Sequence, residues 1–422
     1  MKERTAVDPK KEKTPARQWV LKRHSIIYKL AYPVIKALCR ILYPGLEIVP
    51  FPEGRTGQYI YLYNHQTPLD QFFISIINRK PVYHIATEDI MSNGWVSRLL
   101  AWTVAPIPIL KQMKDTRAVK NCITVVKQGG SIAVAPEGNR TFSGRTTNFN
   151  IGIVKLIKLL KLPAAVLRIE GGYGVEPRWA GNRRRGKIKA YVSEVITPEE
   201  YSAMDAEEFF ARLKTALWVD ESGPGGEYLS KAPAEYLERL FYVCPDCGFS
   251  GFESKGDTVS CCRCGRSFRY TEHKELIDLS GKPVFDSIGG WYDYQEAFVN
   301  STDPEDHTDR PLFRDAGLAL YTVRLYDRKV PAADGVTALL FGDRIEIEGT
   351  DGDTIETILF DETDTITVLG KKKLNIYNGG RVIQIAGGDR FNALKYVNLY
   401  YRFKNAQAEK NGGTEGVKFL GL

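Results

Sequence analysis

Residues 59–73 read YIYLYNHQTPLDQFF, and this stretch decides the fold because it joins a strand to a helix through a short polar turn. Thr67 as N-cap, Pro68 in the first turn and Asp70 two residues later make a good helix start. His65 then lies in the turn, where its ring can fold back onto Asp70, leaving one ring nitrogen to act as a general base. The alternative is that Asp70 only caps the helix and His65 is an ordinary loop residue.

The same alternation of strand and helix continues on both sides of this stretch, over residues 57–220. The strand candidates are QYIYLY, PVYHIAT, APIPIL, SIAVA, PAAVLRI and KIKAYVS. The predicted helices between them are 68–79, 92–102, 115–128, 149–161 and 205–218. This alternation predicts an α/β domain.

A second polar turn follows the strand in SIAVAPEGNRTFSGR (131–145). Its Pro-Glu-Gly turn carries Arg140 and Arg145, and a guanidinium offers a planar pair of donors to phosphate oxygens. On its own, however, Glu-Gly-x-Arg is also a common surface turn.

Charge divides the 422-residue chain into two parts. Residues 1–240 hold 36 basic and 23 acidic side chains, a net of +13, whereas residues 241–422 hold 22 and 28, a net of −6. The basic part suits anionic partners such as phosphorylated metabolites, an acidic membrane surface or nucleic acid. Charge alone does not choose among these partners.

The N-terminal region predicts contact with a membrane surface. Residues 1–18 are charged and read as a disordered tail, without the apolar core of a secretion signal. Residues 19–43 are apolar but carry a basic stripe, formed by Lys22, Lys29, Lys36 and Arg40 within roughly 40° on one helical face. Pro33 should kink this helix or split it. A core helix is the alternative to an interfacial one.

The two turns together resemble the glycerolphosphate and lysophospholipid acyltransferases, the 1-acylglycerol-3-phosphate acyltransferase superfamily. NHQTPLD (64–70) is similar to the family's NHxxxxD block, and APEGNRT (135–141) to its FPEGTRS block. APIPILK (105–111), FNIGI (149–153) and Leu162-Pro163 are similar to further family features.

The resemblance implies a role for each matching residue. His65 would be the base that deprotonates a glycerol hydroxyl for attack on an acyl thioester, and Asp70 would hold it. The acceptor's phosphate would be bound by the residues that match the second and third blocks, namely Lys111, Glu137, Gly138, Arg140 and Thr141. Lys111 departs from the usual arginine, and Ala135, Asn139 and Thr141 depart from the third block.

Five of the seven cysteines lie between residues 244 and 264, in CPDCGF and CCRCGRSF. Cys244, Cys247, Cys261 and Cys264 form two Cys-x-x-Cys pairs suited to tetrahedral zinc, which resembles a zinc ribbon with a structural metal. Cys262 is the spare thiol. A redox pair is the alternative.

Residues 311–408 alternate apolar and polar positions and end in a helix-like stretch, which resembles pleckstrin-homology-like or GRAM-like β-barrels. The predicted fold class is an α/β acyltransferase domain with amphipathic N-terminal helices, a small zinc ribbon, and a mainly β module with a closing helix. The predicted segments are a tail (1–18), a membrane-associating segment (19–50), the acyltransferase domain (51–220), a connection (221–240), the ribbon (241–272), a linker (273–310), the β module (311–408) and a tail (409–422).

These features predict an acyltransferase on the cytoplasmic face of a membrane, peripheral or monotopic. It would move a fatty acyl group from acyl-CoA or acyl-carrier protein to a lysophospholipid, 1-acylglycerol 3-phosphate above all, giving phosphatidic acid. A noncatalytic lipid-binding or scaffold protein is the alternative. Nucleic acid is not an expected partner, because the basic charge lies outside the ribbon's acidic half. Since few contacts should cross residues 221–233, a 1–240 fragment is expected to keep activity.

Overall fold

A computed structural model describes residues 17–109, 115–281, 283–324 and 327–412. The predicted tail, the second-block Lys111 and most of the C-terminal tail lie outside these ranges. The first part of the chain holds seven strands, namely β1 (Gly45–Ile48), β2 (Ile60–Tyr63), β3 (Val82–Thr87), β4 (Ile107–Ile109), β5 (Ser131–Val134), β6 (Ala164–Glu170) and β7 (Lys187–Ile196). The helices of this part are α1 (Lys22–Leu42), α2 (Asp70–Asn78), α3 (Trp95–Thr103), α4 (Thr116–Lys127), α5 (Gly152–Leu160), α6 (Gly172–Val175), α7 (Pro198–Ser202) and α8 (Ala206–Leu217).

The seven strands form one mixed sheet in the order β1-β7-β6-β2-β5-β3-β4. β2 lies at its centre and pairs in parallel with both β5 and β6, whereas β6 and β7 are antiparallel. Because β2 and β5 are parallel neighbours, the turns that follow them emerge at the same edge of the sheet. All four β2 residues are buried. The predicted α/β domain is confirmed, with β1 as a strand that the sequence pattern did not reveal.

The N-terminal segment forms one helix rather than two. Pro33 lies inside α1, which runs continuously for 21 residues. His24 and Cys39 are its buried residues, and His24 Nδ1 is 3.0 Å from the Tyr83 hydroxyl. Within the described ranges, every helix is too short or too polar to cross a lipid bilayer.

The cysteine-rich region is a small antiparallel unit built on two sheets. Its strands are β8 (Val243–Cys244), β9 (Gly248–Phe249), β10 (Phe252–Lys255), β11 (Thr258–Cys261), β12 (Ser267–Tyr270) and β13 (Leu276–Asp278). The predicted linker over 273–310 is wrong, because α9 (Ile288–Ser301) lies within it. Ser287 caps this helix, and Trp291, Gln295 and Val299 are buried along one face. The first turn of this helix contains two glycines, which have a low helix propensity, so the sequence did not predict a helix here.

The C-terminal module is an antiparallel sheet of seven strands, closed by the helix α10 (Leu394–Lys410). Its strands are β14 (Phe313–Val323), β15 (Lys329–Leu340), β16 (Arg344–Glu348), β17 (Thr354–Leu359), β18 (Thr365–Leu369), β19 (Lys373–Asn378) and β20 (Arg381–Ala386). The mainly β module with a closing helix is therefore confirmed.

One hydrophobic cluster joins the three parts of the chain. It contains Phe142 and Trp179 from the first part, Cys244 and Trp291 from the ribbon and α9, and the inner faces of the β module together with α10. The sequence led us to expect few contacts across residues 221–233, but the structure has many contacts there. Glu221, for example, is buried and accepts hydrogen bonds from the backbone N–H groups of Gly171 and Gly174.

Candidate active site

His65 and Asp70 form a hydrogen-bonded pair in the turn between β2 and α2. The Nδ1 atom of His65 lies 2.8 Å from Oδ2 of Asp70, whose side chain is fully buried. The sequence predicted that Thr67 would be the N-cap and that the helix would start at Pro68, but the helix starts at Asp70 with Leu69 as its N-cap. The Thr67 hydroxyl instead donates to Asp70 Oδ1 at 2.6 Å, so residues 64–69 form a turn around the Asp70 carboxylate.

The Asp70 carboxylate fixes which nitrogen of His65 carries a proton. It also accepts hydrogen bonds from the backbone N–H groups of Gln66 and Thr67. An ionised carboxylate accepts but does not donate, so Nδ1 of His65 must be the donor. The second ring nitrogen, Nε2, then holds a lone pair, and the side chain is 24% exposed. The ring is therefore oriented and accessible as a base.

Glu137 ties the second polar turn to His65. Its Oε1 accepts from the backbone N–H of His65 at 2.8 Å, and its Oε2 accepts from the backbone N–H of Thr147 at 2.7 Å. The backbone N–H of Thr141 donates to the carbonyl of His65 at 3.1 Å. Burial raises the pKa of Glu137 to about 7, and the hydrogen bonds from Thr147 and His65 oppose that rise. Both backbone polar groups of His65 are thus held by the 135–147 loop.

The residues expected to bind phosphate separate into two groups. Glu137 and Thr141 are buried and engaged within the loop, the Thr141 hydroxyl accepting from the backbone N–H of Gly144. Gly138 lies at the exposed tip with a φ of 70°, a conformation that favours glycine. In this structure Glu137 and Thr141 thus contact the His65 backbone and their own loop. Arg140 remains, and Lys111 lies outside the described residues.

The guanidinium of Arg140 is half-buried without a hydrogen-bond partner in the part of the chain that the structure describes. Burial lowers its pKa, while the carboxylates of Glu176 and Asp70 favour its charge. Glu176 is itself engaged, since its Oε2 accepts from the Tyr43 hydroxyl at 2.7 Å and from Arg183 Nε at 2.6 Å. A poorly solvated guanidinium without hydrogen bonds is suited to binding an anion.

Two other arginines near the loop are engaged elsewhere. Arg145, which the sequence pattern also marked, pairs with Asp220 and Asp293, so it joins the loop to α9. Arg184 is buried against the rings of Trp179 and Tyr270.

Sequence reasoning gave no role to Asn64 or Arg178. The Asn64 amide bonds both the N–H and the carbonyl of Ile169 at 2.8 Å, which fixes the end of β2 against β6. Arg178 is buried and donates to the carbonyl of Arg140 at 2.8 Å. The position of Asn64 directly before His65 could have indicated its contact with Ile169. Nothing in the local sequence indicates the contact between Arg178 and Arg140.

The cysteine cluster has the geometry of a metal site. The sulfur atoms of Cys244, Cys247, Cys261 and Cys264 lie within 4.8 Å of one another. The Cys244–Cys264 and Cys247–Cys261 pairs are 3.5 and 3.6 Å apart. Zinc–sulfur bonds of about 2.3 Å in a tetrahedron place the sulfurs about 3.8 Å apart, so the four thiols fit zinc.

A family model described as acyltransferase matches residues 40–169 of the chain. This region of the chain is thus similar to the acyltransferase family. The match contains the His65–Asp70 pair, Glu137 and Arg140, and the resemblance noted in the two polar turns is thereby confirmed.

The chain is also similar to curated relatives and to parts of solved structures. A chloroplastic 1-acyl-sn-glycerol-3-phosphate acyltransferase of Brassica napus is 23% identical over 36% of this chain and 44% of its own length. The crystal structure of the 1-acyl-sn-glycerophosphate acyltransferase of Thermotoga maritima is 21% identical, covers 46% of this chain and 78% of its own, and has a TM-score of 0.39. A human ARAP2 N-terminal PH domain is 11% identical, covers 22% of this chain and 82% of its own, and has a TM-score of 0.18. The chain spans 44% to 65% of the length of the curated relatives it matches.

Proposed function

We propose that this protein transfers a fatty acyl group from acyl-CoA or acyl-carrier protein to the free hydroxyl of a lysophospholipid. The observation that carries the proposal is the His65–Asp70 pair, held on both sides of its peptide by the 135–147 loop. The names of the relatives favour 1-acylglycerol 3-phosphate as the acceptor and phosphatidic acid as the product.

The chemistry requires one base and no covalent enzyme intermediate. Nε2 of His65 takes the proton of the acceptor hydroxyl while the oxygen attacks the thioester carbonyl carbon. Asp70 stabilises the imidazolium that forms. The tetrahedral intermediate then collapses, the carbon–sulfur bond breaks, and the proton on Nε2 passes to the departing sulfur. The products are an ester and a free thiol, and His65 returns to its starting state.

Arg140 supplies the binding contact for the acceptor's phosphate in this proposal. Its guanidinium is half-buried, charged and without a partner among the described residues, and it shares the electrostatic surroundings of Asp70. A phosphate bound there would offset the cost of burying the charge. Lys111 is proposed as a second contact on the strength of the family resemblance.

The exposed face of α1 supports a proposed attachment to the cytoplasmic face of a membrane. Large apolar side chains are exposed along one stripe of this helix, at Ile26, Leu30, Val34, Leu38 and Ile41. This stripe lies beside the basic stripe, and α3 adds the exposed rings of Trp95 and Trp102. A helix with an apolar face and a basic flank is typical of interfacial binding.

We assign the four-cysteine site to a structural zinc ion. Cys244 and Cys261 belong to the hydrophobic cluster that also contains Trp179 and Trp291. A metal ion bound to these cysteines would therefore stabilise the packing of that cluster.

The test is a product assay on the purified chain. The protein is incubated with a panel of lysophospholipids and with both acyl donors, and the products are identified by mass spectrometry. Formation of phosphatidic acid supports the proposal. The rival, a noncatalytic lipid-binding or scaffold protein, predicts lipid binding without any acylated product.

A further inference from the structure

The turn between β18 and β19 of the C-terminal β module contacts the segment that is bonded to the Arg140 loop. This turn, residues 369–373, faces the 178–183 segment of the first part of the chain. A cavity of about 570 Å³ lies between them. It is lined by Gly181, Asn182, Tyr236, Arg239, Asp389 and the 369–373 turn.

A buried arginine joins the turn to the loop that carries Arg140. The guanidinium of Arg178 donates to three backbone carbonyls, those of Arg140 at 2.8 Å, Gly370 at 2.8 Å and Val368 at 3.0 Å. It also stacks on the ring of Phe142 at 4.1 Å. One side chain therefore sets the position of the β18–β19 turn relative to the phosphate-binding candidate.

Lys371, at the tip of the turn, brings a positive charge to the same place. Its ammonium donates to the carbonyl of Ala180, which leaves two further N–H donors. Burial, followed by the charge of Arg140, lowers the pKa of Lys371 to about 8, and Glu176 opposes this shift. The geometry agrees, because Arg178 bonds both the carbonyl of Arg140 and that of Gly370, the residue before Lys371.

The surroundings are short of negative charge. Arg140, Arg178, Arg183, Arg239 and Lys371 all contribute to the electrostatics here. The acidic groups that face them are Glu176, which is bound to Arg183 and Tyr43, Asp389, which is paired with Lys372, and Glu238, which is paired with Arg390. Asp70 is engaged with His65. A dianionic phosphate would supply the missing charge.

We propose that Lys371 of the C-terminal module completes the acceptor's phosphate site beside Arg140. The inference rests on the proposed function and deepens it, because it makes a residue about 230 positions beyond Arg140 part of acceptor binding. The ligand class is a phosphomonoester on a glycerol-based acceptor.

Three variants test this role in the full-length chain. Lys371→Gln removes the charge but keeps a donor for the Ala180 carbonyl, whereas Lys371→Arg keeps the charge. Lys404→Gln is the matched control, because Lys404 lies in the same module and also donates to a backbone carbonyl, that of Asp361.

We expect Lys371→Gln to raise the KM for the phosphate-bearing acceptor by roughly 10- to 100-fold, the loss associated with a charge-assisted hydrogen bond. The KM for the acyl donor should stay unchanged, Lys371→Arg should recover most of the loss, and Lys404→Gln should match the unaltered protein. An unchanged acceptor KM, or an equal rise for acceptor and donor, would overturn the proposal.

Calorimetric titration with glycerol 3-phosphate separates this inference from the proposed function. If the unaltered chain transfers no acyl group, the proposed function fails, but the phosphate site is still tested by binding. Loss of glycerol 3-phosphate binding in Lys371→Gln, with Lys404→Gln still binding, supports the site. Equal binding by Lys371→Gln and the unaltered chain rejects it.

Discussion

At the scale of single residues, the site is organised by the hydrogen bonds that the carboxylates of Asp70 and Glu137 accept. Asp70 receives the His65 ring, two backbone N–H groups and the Thr67 hydroxyl, while Glu137 receives the His65 peptide from the other side. The imidazole is thus fixed by its ring and by its backbone, which leaves Nε2 as the group that can take a proton.

His65→Ala should reduce acyl transfer by roughly 10²- to 10⁴-fold, the range typical of general-base catalysis. Lipid binding and thermal unfolding should change little, since the side chain is partly exposed. Initial rates with saturating substrates measure the effect. His273→Ala is the matched control, because His273 is exposed and lies in the turn between β12 and β13. Near-normal turnover by folded His65→Ala protein would contradict the mechanism.

Part of this site could be predicted from the sequence, whereas the contacts between distant segments could not. The His65–Asp70 contact spans five residues, so local turn chemistry predicted it. Glu137 was assigned to phosphate because of its motif position, yet it is buried and accepts from His65 and Thr147. Its contact with His65 spans 72 residues and depends on β2 and β5 being neighbours, which the pattern of each strand alone does not specify.

At the scale of elements, α1 has two exposed stripes that differ in character. The apolar side chains of Leu30 and Ile41 are 72% and 74% exposed, which is unusual for aliphatic residues on a folded surface. The basic side chains lie beside them on the same helix, which continues through Pro33 without the split that the sequence allowed.

A double variant, Leu30→Gln with Ile41→Gln, should weaken binding to anionic vesicles by at least about 100-fold, because burying each side chain contributes roughly 1.5–3 kcal/mol. Vesicle co-sedimentation gives the affinity. Ile355→Gln, which alters an exposed isoleucine of β17 (46% exposed), is the control and should bind normally. Equal binding by the double variant would place the membrane contact elsewhere.

The ribbon offers a comparison between two exposed cysteines that lie two positions apart, Cys262 and Cys264. Cys264→Ser should lose one tightly bound zinc per chain, since Cys264 belongs to the four-sulfur cluster. Cys262→Ser should retain the metal, because Cys262 lies outside that cluster. Elemental analysis of the purified proteins measures both. A metal-free unaltered protein, or loss of zinc in Cys262→Ser, would refute the ligand assignment.

At the scale of the whole molecule, the acyltransferase part, the ribbon and the β module are joined by contacts between residues far apart in the sequence. Arg178 reaches carbonyls 190 and 192 residues away, and Gly94 donates its backbone N–H to the carbonyl of Asp327. Composition, charge and turn signals located the three parts of the chain, but they contain no information about which loop of one part meets another. The boundary inferred at 221–233 rested on such local signals alone.

A fragment ending at residue 240 should therefore fail to fold as an active enzyme, in contrast to the expectation from sequence. It would expose Trp179, Leu237 and Leu240, all fully buried in the shared cluster, and would deprive the Arg178 guanidinium of two of its three carbonyls. A buried guanidinium that loses its acceptors is costly, as is exposure of a large apolar cluster. Calorimetric unfolding and acyl transfer measure the outcome. A chain ending at residue 412, which keeps every described element, is the control and should unfold in a single transition with full activity. A cooperative and active 1–240 fragment would show that the acyltransferase part stands alone and that the β module has no share in acceptor binding.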